Sequence, residues 1–236
     1  PIKSAAASDV YKRQIISMDK SKNLHGHLFA LTANVMWGLM APIGKSALQE
    51  FSALSVTTFR MIGAAAAFWM LSIFCKQEHV NHRDMLKIFF ASLFALVFNQ
   101  GIFIFGLSMT SPIDASIVTT TLPIVTMIVA AIYLKEPITN KKVLGIFVGA
   151  MGALILILSS QAASGGNRNL IGDLLCLVAQ ISFSIYLTVF KGLSQQYSAV
   201  TINKWMFVYA SICYIPFSYY DISTIQWASI STVAII

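Results

Sequence analysis

Carboxylates are scarce in this chain, with nine Asp and Glu among 236 residues against 16 Lys and Arg. Charged residues reach only 11%, where a soluble domain carries roughly a quarter, so there is too little polar surface to cover a fold in water. The net charge of +7 would suit nucleic acid, but the basic residues lie between apolar runs and make no stripe interleaved with polar sequence. A nucleic-acid partner is excluded on that pattern. The three cysteines, Cys75, Cys176 and Cys213, are odd in number and lack C-x-x-C spacing, which excludes a disulfide framework and a thiolate metal site. His79 and His82 are a weak metal pair by spacing, and a solvated loop is the plainer reading. No catalytic constellation is visible, no metal or cofactor is implied, and an enzyme is not expected.

Long apolar runs are what the chain has instead. A helix rising 1.5 Å per residue needs about 20 apolar residues to cross a bilayer. Such runs appear at about 28–48, 55–75, 85–108, 112–134, 143–158, 170–190 and 199–220, with another beginning near 223. They do not alternate polar with apolar as barrel strands would, so the expected fold is all-α, a polytopic helical bundle in the lipid bilayer. Residues 1–17 differ in composition and periodicity from the rest of the chain and are expected to be read-through or non-native, with Met18 a plausible start. The chain stops inside an apolar run, which predicts a fragment of a longer protein.

Orientation follows from Lys and Arg in the short connections. A cytoplasmic N-terminus places thirteen of the sixteen inside, leaving Lys45 and Arg168 outside and Arg60 within a span. "LKEPITNKK", Leu134 to Lys142, is then a cytoplasmic turn between the fourth and fifth helices, because Pro137 cannot comfortably continue a helix. The expected location is the cell inner (plasma) membrane.

Sliding the sequence by 146 residues lays Gly26 on Gly172, Asn34 on Gln180, Trp37 on Phe183, Lys45 on Lys191 and "QEFSALSV" on "QQYSAVTI". Nine of 39 pairs from Gly26 to Ala64 are identical. Five helices separate the copies, an odd number, so the second must cross in the opposite sense. Inverted repeats of this kind are a transporter signature, with the substrate near the midplane.

"WGLMAPIGKSAL", "FRMIGAAAAF" and above all the stretch from Leu107, "LSMTSPIDASIVTTTLPIVTMIVAAIYLKEPITNKKVLGIFVGAMGALIL", resemble the EamA domain of the drug/metabolite transporter superfamily. The resemblance covers about residues 24–220. Pro123, Glu136 and the glycines Gly145, Gly149 and Gly152 stand where that family has a proline in its fourth helix, a glutamate at its end and a glycine-rich fifth helix. It implies a ten-helix bundle of two inverted five-helix repeats. The first would span 24–160, and the second would begin at 170–236 and be truncated. The implied function is a small-molecule metabolite transporter, an exporter by expectation, working by alternating access, with a small organic metabolite and the lipid bilayer as partners and a homodimer as an assembly to test. The rival reading is a seven-helix receptor or opsin-like protein. The charge bias opposes the receptor, and Lys204, near the start of its run, fits an opsin poorly.

Candidate cavity residues are the amides within spans, Asn34, Asn99, Gln100 and Gln180, together with Trp37, Tyr186, Arg60, Thr120 and Pro123. Each buried amide needs a partner, so interhelical bonding is the alternative to cavity lining. Pro123 behind Thr119, Thr120 and Thr121 marks either a kink that lines the path or a packing kink with hydroxyls bonded back to their own helix. Gly145 and Gly149 offer a small-residue face for close helix approach, and Glu136 a cap or latch. Ser111, Pro112 and Asp114 make a helix start. Arg60 lies about one and a half turns into its helix, to pair with Asp114 as an outer gate, to meet an anionic group of the substrate, or to snorkel to the surface.

Overall fold

The computed structural model describes residues 26–135, 143–149, 151–152, 155 and 170–225. The chain falls into two compact units, Pro1–Met40 and Ala41–Ile236. In the first, residues 26–40 are helical, and the Thr32 hydroxyl and the Asn34 amide donate to the carbonyls of Leu28 and Ala30 one turn back (2.9 and 2.8 Å). Residues 26–47 form α1, and its last turns belong to the second unit.

The second unit is a helical bundle. It contains α2 (Ala53–Ile73), α3 (His82–Met109), α4 (Pro112–Tyr133), α5 (the helical residues from 143 to 155), α6 (Leu170–Val189), the short α7 (Lys191–Gln196) and α8 (Ala199–Ser223). Among the described residues there is no strand, and α2, α3, α4 and α6 are long and apolar enough to cross a membrane. The run expected at 199–220 is indeed a helix, of 25 residues, but α8 is more polar than those four. Its Thr201, Lys204, Ser211 and Ser218 are buried. The run expected at 143–158 lies partly outside the described residues.

Local chemistry sets the helix starts. Ser52, Ser111 and Ser198 each take extended backbone and accept the backbone N–H three residues on, from Ser55, Asp114 and Thr201. Such a cap is worth about 1 kcal/mol, because it satisfies a donor the helix cannot. Ser52 and Ser198 are the same position of the 146-residue offset, so the repeat extends to the caps. At the other end of α4, Lys135 takes a left-handed φ of 54°, where the Lys-Glu-Pro turn was expected to begin.

The α3 helix is not uniform. Leu93–Phe98 winds as a π-turn, a widened stretch that tends to mark functional positions, and it delivers Asn99 and Gln100 directly after it. At the far end of α3, Lys45 reaches from α1 to donate to the carbonyls of Leu107, Ser108 and Thr110 (2.8, 3.1 and 2.7 Å). A cation on the terminal carbonyls closes the helix that Ser111 then restarts as α4.

Packing relies on small residues and hydroxyls, as expected where lipid supplies no hydrophobic drive between helices. Met61, Ile88, Ala91, Leu96, Met206 and Ala210 fill the core between α2, α3 and α8. The Ser92 hydroxyl donates to the Met206 carbonyl and that of Ser182 to the Phe94 carbonyl, both at 2.7 Å, while Thr126 and Ser184 join α4 to α6 at 3.0 Å. Helices α3 and α6 cross backbone to backbone at Gly106 and Gly172. A Cβ on Gly106 would lie 2.8 Å from the Gly172 carbonyl oxygen, and one on Gly172 would lie 2.9 Å from that of Gly106.

Polar links sort the helix ends into two sets. At one end the Thr110 hydroxyl donates to buried Asp173 (2.6 Å) and the Ser52 hydroxyl to Asp221 Oδ2 (2.5 Å). At the other, Tyr197 donates to Asp84 (2.9 Å), Lys204 to the Gln77 side-chain oxygen (3.2 Å), and both the N–H and hydroxyl of Ser198 to Glu78 Oε2 (2.9 and 3.1 Å). Helices α2 and α8 are therefore antiparallel neighbours.

The Ser198 backbone N–H, followed by the Thr201 hydroxyl, holds the Glu78 carboxyl below the usual glutamate range. Because folding depresses this pKa, the contact contributes above the ordinary glutamate value and is lost as pH falls through the depressed one. An acid limb in thermal stability that disappears in Glu78→Gln is the expected result. Superimposable profiles would show an idle carboxylate.

Candidate substrate site in the helix bundle

Arg60 sits two turns into α2, too deep to leave without a partner in hydrocarbon. Its Nη2 donates to Gln100 Oε1 at 2.9 Å, so the side chain turns inward and does not snorkel. Gln100 Nε2 donates in turn to Asn99 Oδ1 (2.9 Å), and Asn99 Nδ2 to the Ala179 carbonyl (2.8 Å). One polar chain thus crosses from α2 through α3 to α6. The π-turn places two consecutive amides where they can hand hydrogen bonds to each other and to the helices on either side.

Beside this chain lies a cavity of about 210 Å³, lined by Thr57, Val97, Gly101, Ile102, Phe105 and Tyr214 among others. Its walls are mostly apolar. Tyr214 of α8 donates its hydroxyl to the Val97 carbonyl within the π-turn, and the phenol occupies the place a Cβ on Gly101 would need. Gln180 is 3% exposed, and its Oε1 accepts no hydrogen bond among the described residues. A buried amide oxygen left open is a point where a donor group would be welcome.

The structure brings Arg60, Asn99 and Gln100 together, with Gln180 adjacent in sequence to the carbonyl that ends their chain. Other expected residues stand elsewhere. Asn34 is bonded within its own helix in the first unit, which also holds Trp37. Tyr186 stands in an aromatic row on α6 between Phe183 and Phe190, with centroids 5.6 and 6.5 Å away.

At the α4 break, the hydroxyls of Thr119, Thr120 and Thr121 donate to Ala115, Ile117 and Val118 of the same helix, the packing-kink arrangement. Pro123 falls in the first turn of the resumed helix, where a missing N–H costs little. Asp114 is buried in its capping role, accepting from the Ser111 hydroxyl at 2.8 Å. Among the described residues, Gly149 meets Ile124 (3.3 Å), whereas Gly145 and Gly152 have nothing within 4 Å of an added Cβ. Glu136 lies outside the described residues.

Tyr214, Gly101 and Thr57 escaped the sequence reading, since an isolated Tyr, Gly or Thr in an apolar run carries no signal without its neighbours. Lys204, which the sequence leaves as a charge near the start of its run, is buried, with Nζ 5.2 Å from the centre of the Trp69 ring. It stands one and a half turns into α8, far from the middle where an opsin-like lysine would sit.

The family model of the EamA-like transporter family matches residues 24–158, more than half of the chain. The chain belongs to this family. Similar proteins include an uncharacterized transporter of Archaeoglobus fulgidus, 28% identical over 80% of this chain and 66% of its own length. The uncharacterized transporters YetK and YyaM of Bacillus subtilis are 21% and 27% identical over 88% and 70% of the chain. This EamA-like chain spans between 55 and 66% of the length of these three relatives. No solved structure matches it. Family and apolar helices together make it a multi-pass membrane protein.

Proposed function

We propose that the protein containing this chain transports a small organic metabolite across the inner or plasma membrane by alternating access between two inverted repeats. The observation that carries this reading is the polar chain Arg60–Gln100–Asn99, set between helices of the first repeat and α6 of the second beside a cavity. Interior polar groups of this sort are costly in lipid and mark substrate paths. The antiparallel pairing of α2 and α8, 146-residue equivalents, is the arrangement inverted repeats require. Named relatives are called transporters, which agrees with this reading. A guanidinium with amide neighbours suits a solute bearing an anionic or strongly accepting group, and the apolar cavity walls suit its hydrocarbon part.

Export is the proposed direction, and untargeted metabolite profiling tests it. Cells overexpressing the complete protein should lose a metabolite from the interior and gain it in the medium, and cells expressing the Arg60→Leu variant should not. Identical profiles for the two would end the assignment of Arg60.

The proposed orientation has the N-terminus and the Glu78–Ser198 end in the cytoplasm. A cysteine introduced near Lys141 should then be shielded from impermeant thiol reagents in intact cells, and one near Arg168 should label. The reverse pattern would invert the topology.

A further inference from the structure

Asp221 stands in the last turn of α8, where a carboxylate opposes the negative end of its own helix dipole. Its position makes sense only across the helix pair, because the Ser52 hydroxyl at the start of α2 donates to its Oδ2. The carboxylate thus sits at the positive end of the neighbouring helix. At the opposite end the same device recurs with the partners exchanged: Glu78, five residues beyond α2, accepts from both the N–H and the hydroxyl of Ser198 at the start of α8. Even the second hydroxyls correspond, Ser52 bonding Ser55 (3.1 Å) and Ser198 bonding Thr201 (2.9 Å). The two serines are true equivalents at the 146-residue offset, and the two carboxylates are displaced from equivalence by three residues, close to one turn.

We propose that Ser52–Asp221 and Ser198–Glu78 are a matched pair of gate latches, each closing one end of the α2–α8 seam, so that opening one end and then the other admits solvent to the cavity at Thr57, Gly101 and Tyr214 from opposite faces. This rests on the transport reading given above and adds the residues that control access. Three features fit latches better than permanent braces. Ser52 and Ser198 are exposed and both carboxylates only partly buried, so water competes for every bond and each can break and reform. The interior of the seam is filled by small or flexible side chains such as Thr58, Met61, Met206 and Ala210, which can shift as an end opens and let solvent reach the cavity wall. The cavity wall includes Ala53, the first residue of α2 after the Ser52 cap, and Tyr214, two turns before Asp221, so movement at that end bears directly on it.

The test is thiol accessibility in oriented membrane vesicles, which needs no substrate. Every cysteine of the complete protein, Cys75, Cys176 and Cys213 among them, is replaced by serine, and Thr57→Cys supplies a single probe on the cavity wall. An impermeant maleimide is applied from each side in turn. Trading a charge-assisted acceptor for a neutral amide should shift the open population about fivefold, so Glu78→Gln should raise labelling about fivefold from the Glu78 face alone, and Asp221→Asn should do the same from the Asp221 face alone. Ser198→Thr, which keeps the hydroxyl, should behave as the parent. Equal increases from both faces would mean that the variants merely loosen the fold, and unchanged labelling would mean that the contacts are ornamental; either result overturns the proposal. If the Thr57→Cys parent is not recovered as a monodisperse species, Val97→Cys on the same wall serves as the probe. Mirrored shifts in a protein that moves no metabolite would retire the transport reading and leave the latches standing.

Discussion

Gly172→Val is expected to abolish recovery of folded protein, whereas Gly145→Val is expected to leave it near the parental level. At Gly172 an added Cβ would lie 2.9 Å from the Gly106 carbonyl oxygen, 3.0 Å from Thr110 Cβ and 3.1 Å from the Met109 carbonyl carbon. Two of these are backbone atoms of α3, which cannot rotate away, so relief requires the helices to separate. Separation would break the Thr110–Asp173 bond and pull Asn99 from the Ala179 carbonyl. Overpacking commonly costs about 1–3 kcal/mol when side chains can yield. Here they cannot, and the lost bonds add to the cost, which reaches the scale of a typical protein's entire stability margin. At Gly145 nothing among the described residues lies within 4 Å of the new atom. Fluorescence-detected gel filtration of the two variants in mild detergent decides the matter, with a monodisperse peak below about a tenth of the parent expected for Gly172→Val. Equal peaks would show that α3 and α6 do not cross through these glycines.

The second large effect is expected at Arg60. Arg60→Leu removes the donor to Gln100 Oε1 and the charge that the amide chain organises, and transport of the metabolite found by profiling should fall by more than about tenfold. Thr120→Ala, which deletes a hydroxyl bonded back to the Ile117 carbonyl of its own helix, should retain most transport. A cycle with Gln100→Leu adds a check on mechanism. If Arg60 and Gln100 act as a unit, the double variant should be hardly worse than either single one, and strict multiplicativity would show that they act separately. Normal transport by Arg60→Leu would remove this residue from the site.

How much of the fold and site is legible in the sequence depends on the range of the interaction. The Ser111–Pro112–Asp114 helix start is readable because its donors and acceptors lie within three residues, and the structure has it so. The left-handed Lys135 that follows the end of α4 is readable for the same reason, while the rest of the expected turn, residues 136–142, lies outside the described residues. The kink at Thr120 and Pro123 is readable as a kink, but its use is not, since hydroxyls bonded back to their own helix and hydroxyls facing a cavity share one sequence.

The glycines show the limit from the other side. Gly145, Gly149 and Gly152 have the spacing of a packing face, yet among the described residues the glycines where two backbones meet are Gly106 and Gly172, which stand 66 residues apart in the chain. Whether a glycine is needed depends on which backbone passes over it, and periodicity within one helix is blind to that.

By itself, then, the sequence determined the solvent and the family. Runs of apolar residues with charges confined to the connections require helices in lipid, because every backbone polar group must there be paired within its own segment. It also determined the Ser111 cap, whose partner is a few bonds away. Only the tertiary structure decided which helices touch, and with them the partner of Arg60, the role of Tyr214, and the carboxylates that meet Ser52 and Ser198. The physical reason is that helix association in a membrane runs on close packing and a few hydrogen bonds, without a hydrophobic stripe to record in the sequence which face meets which.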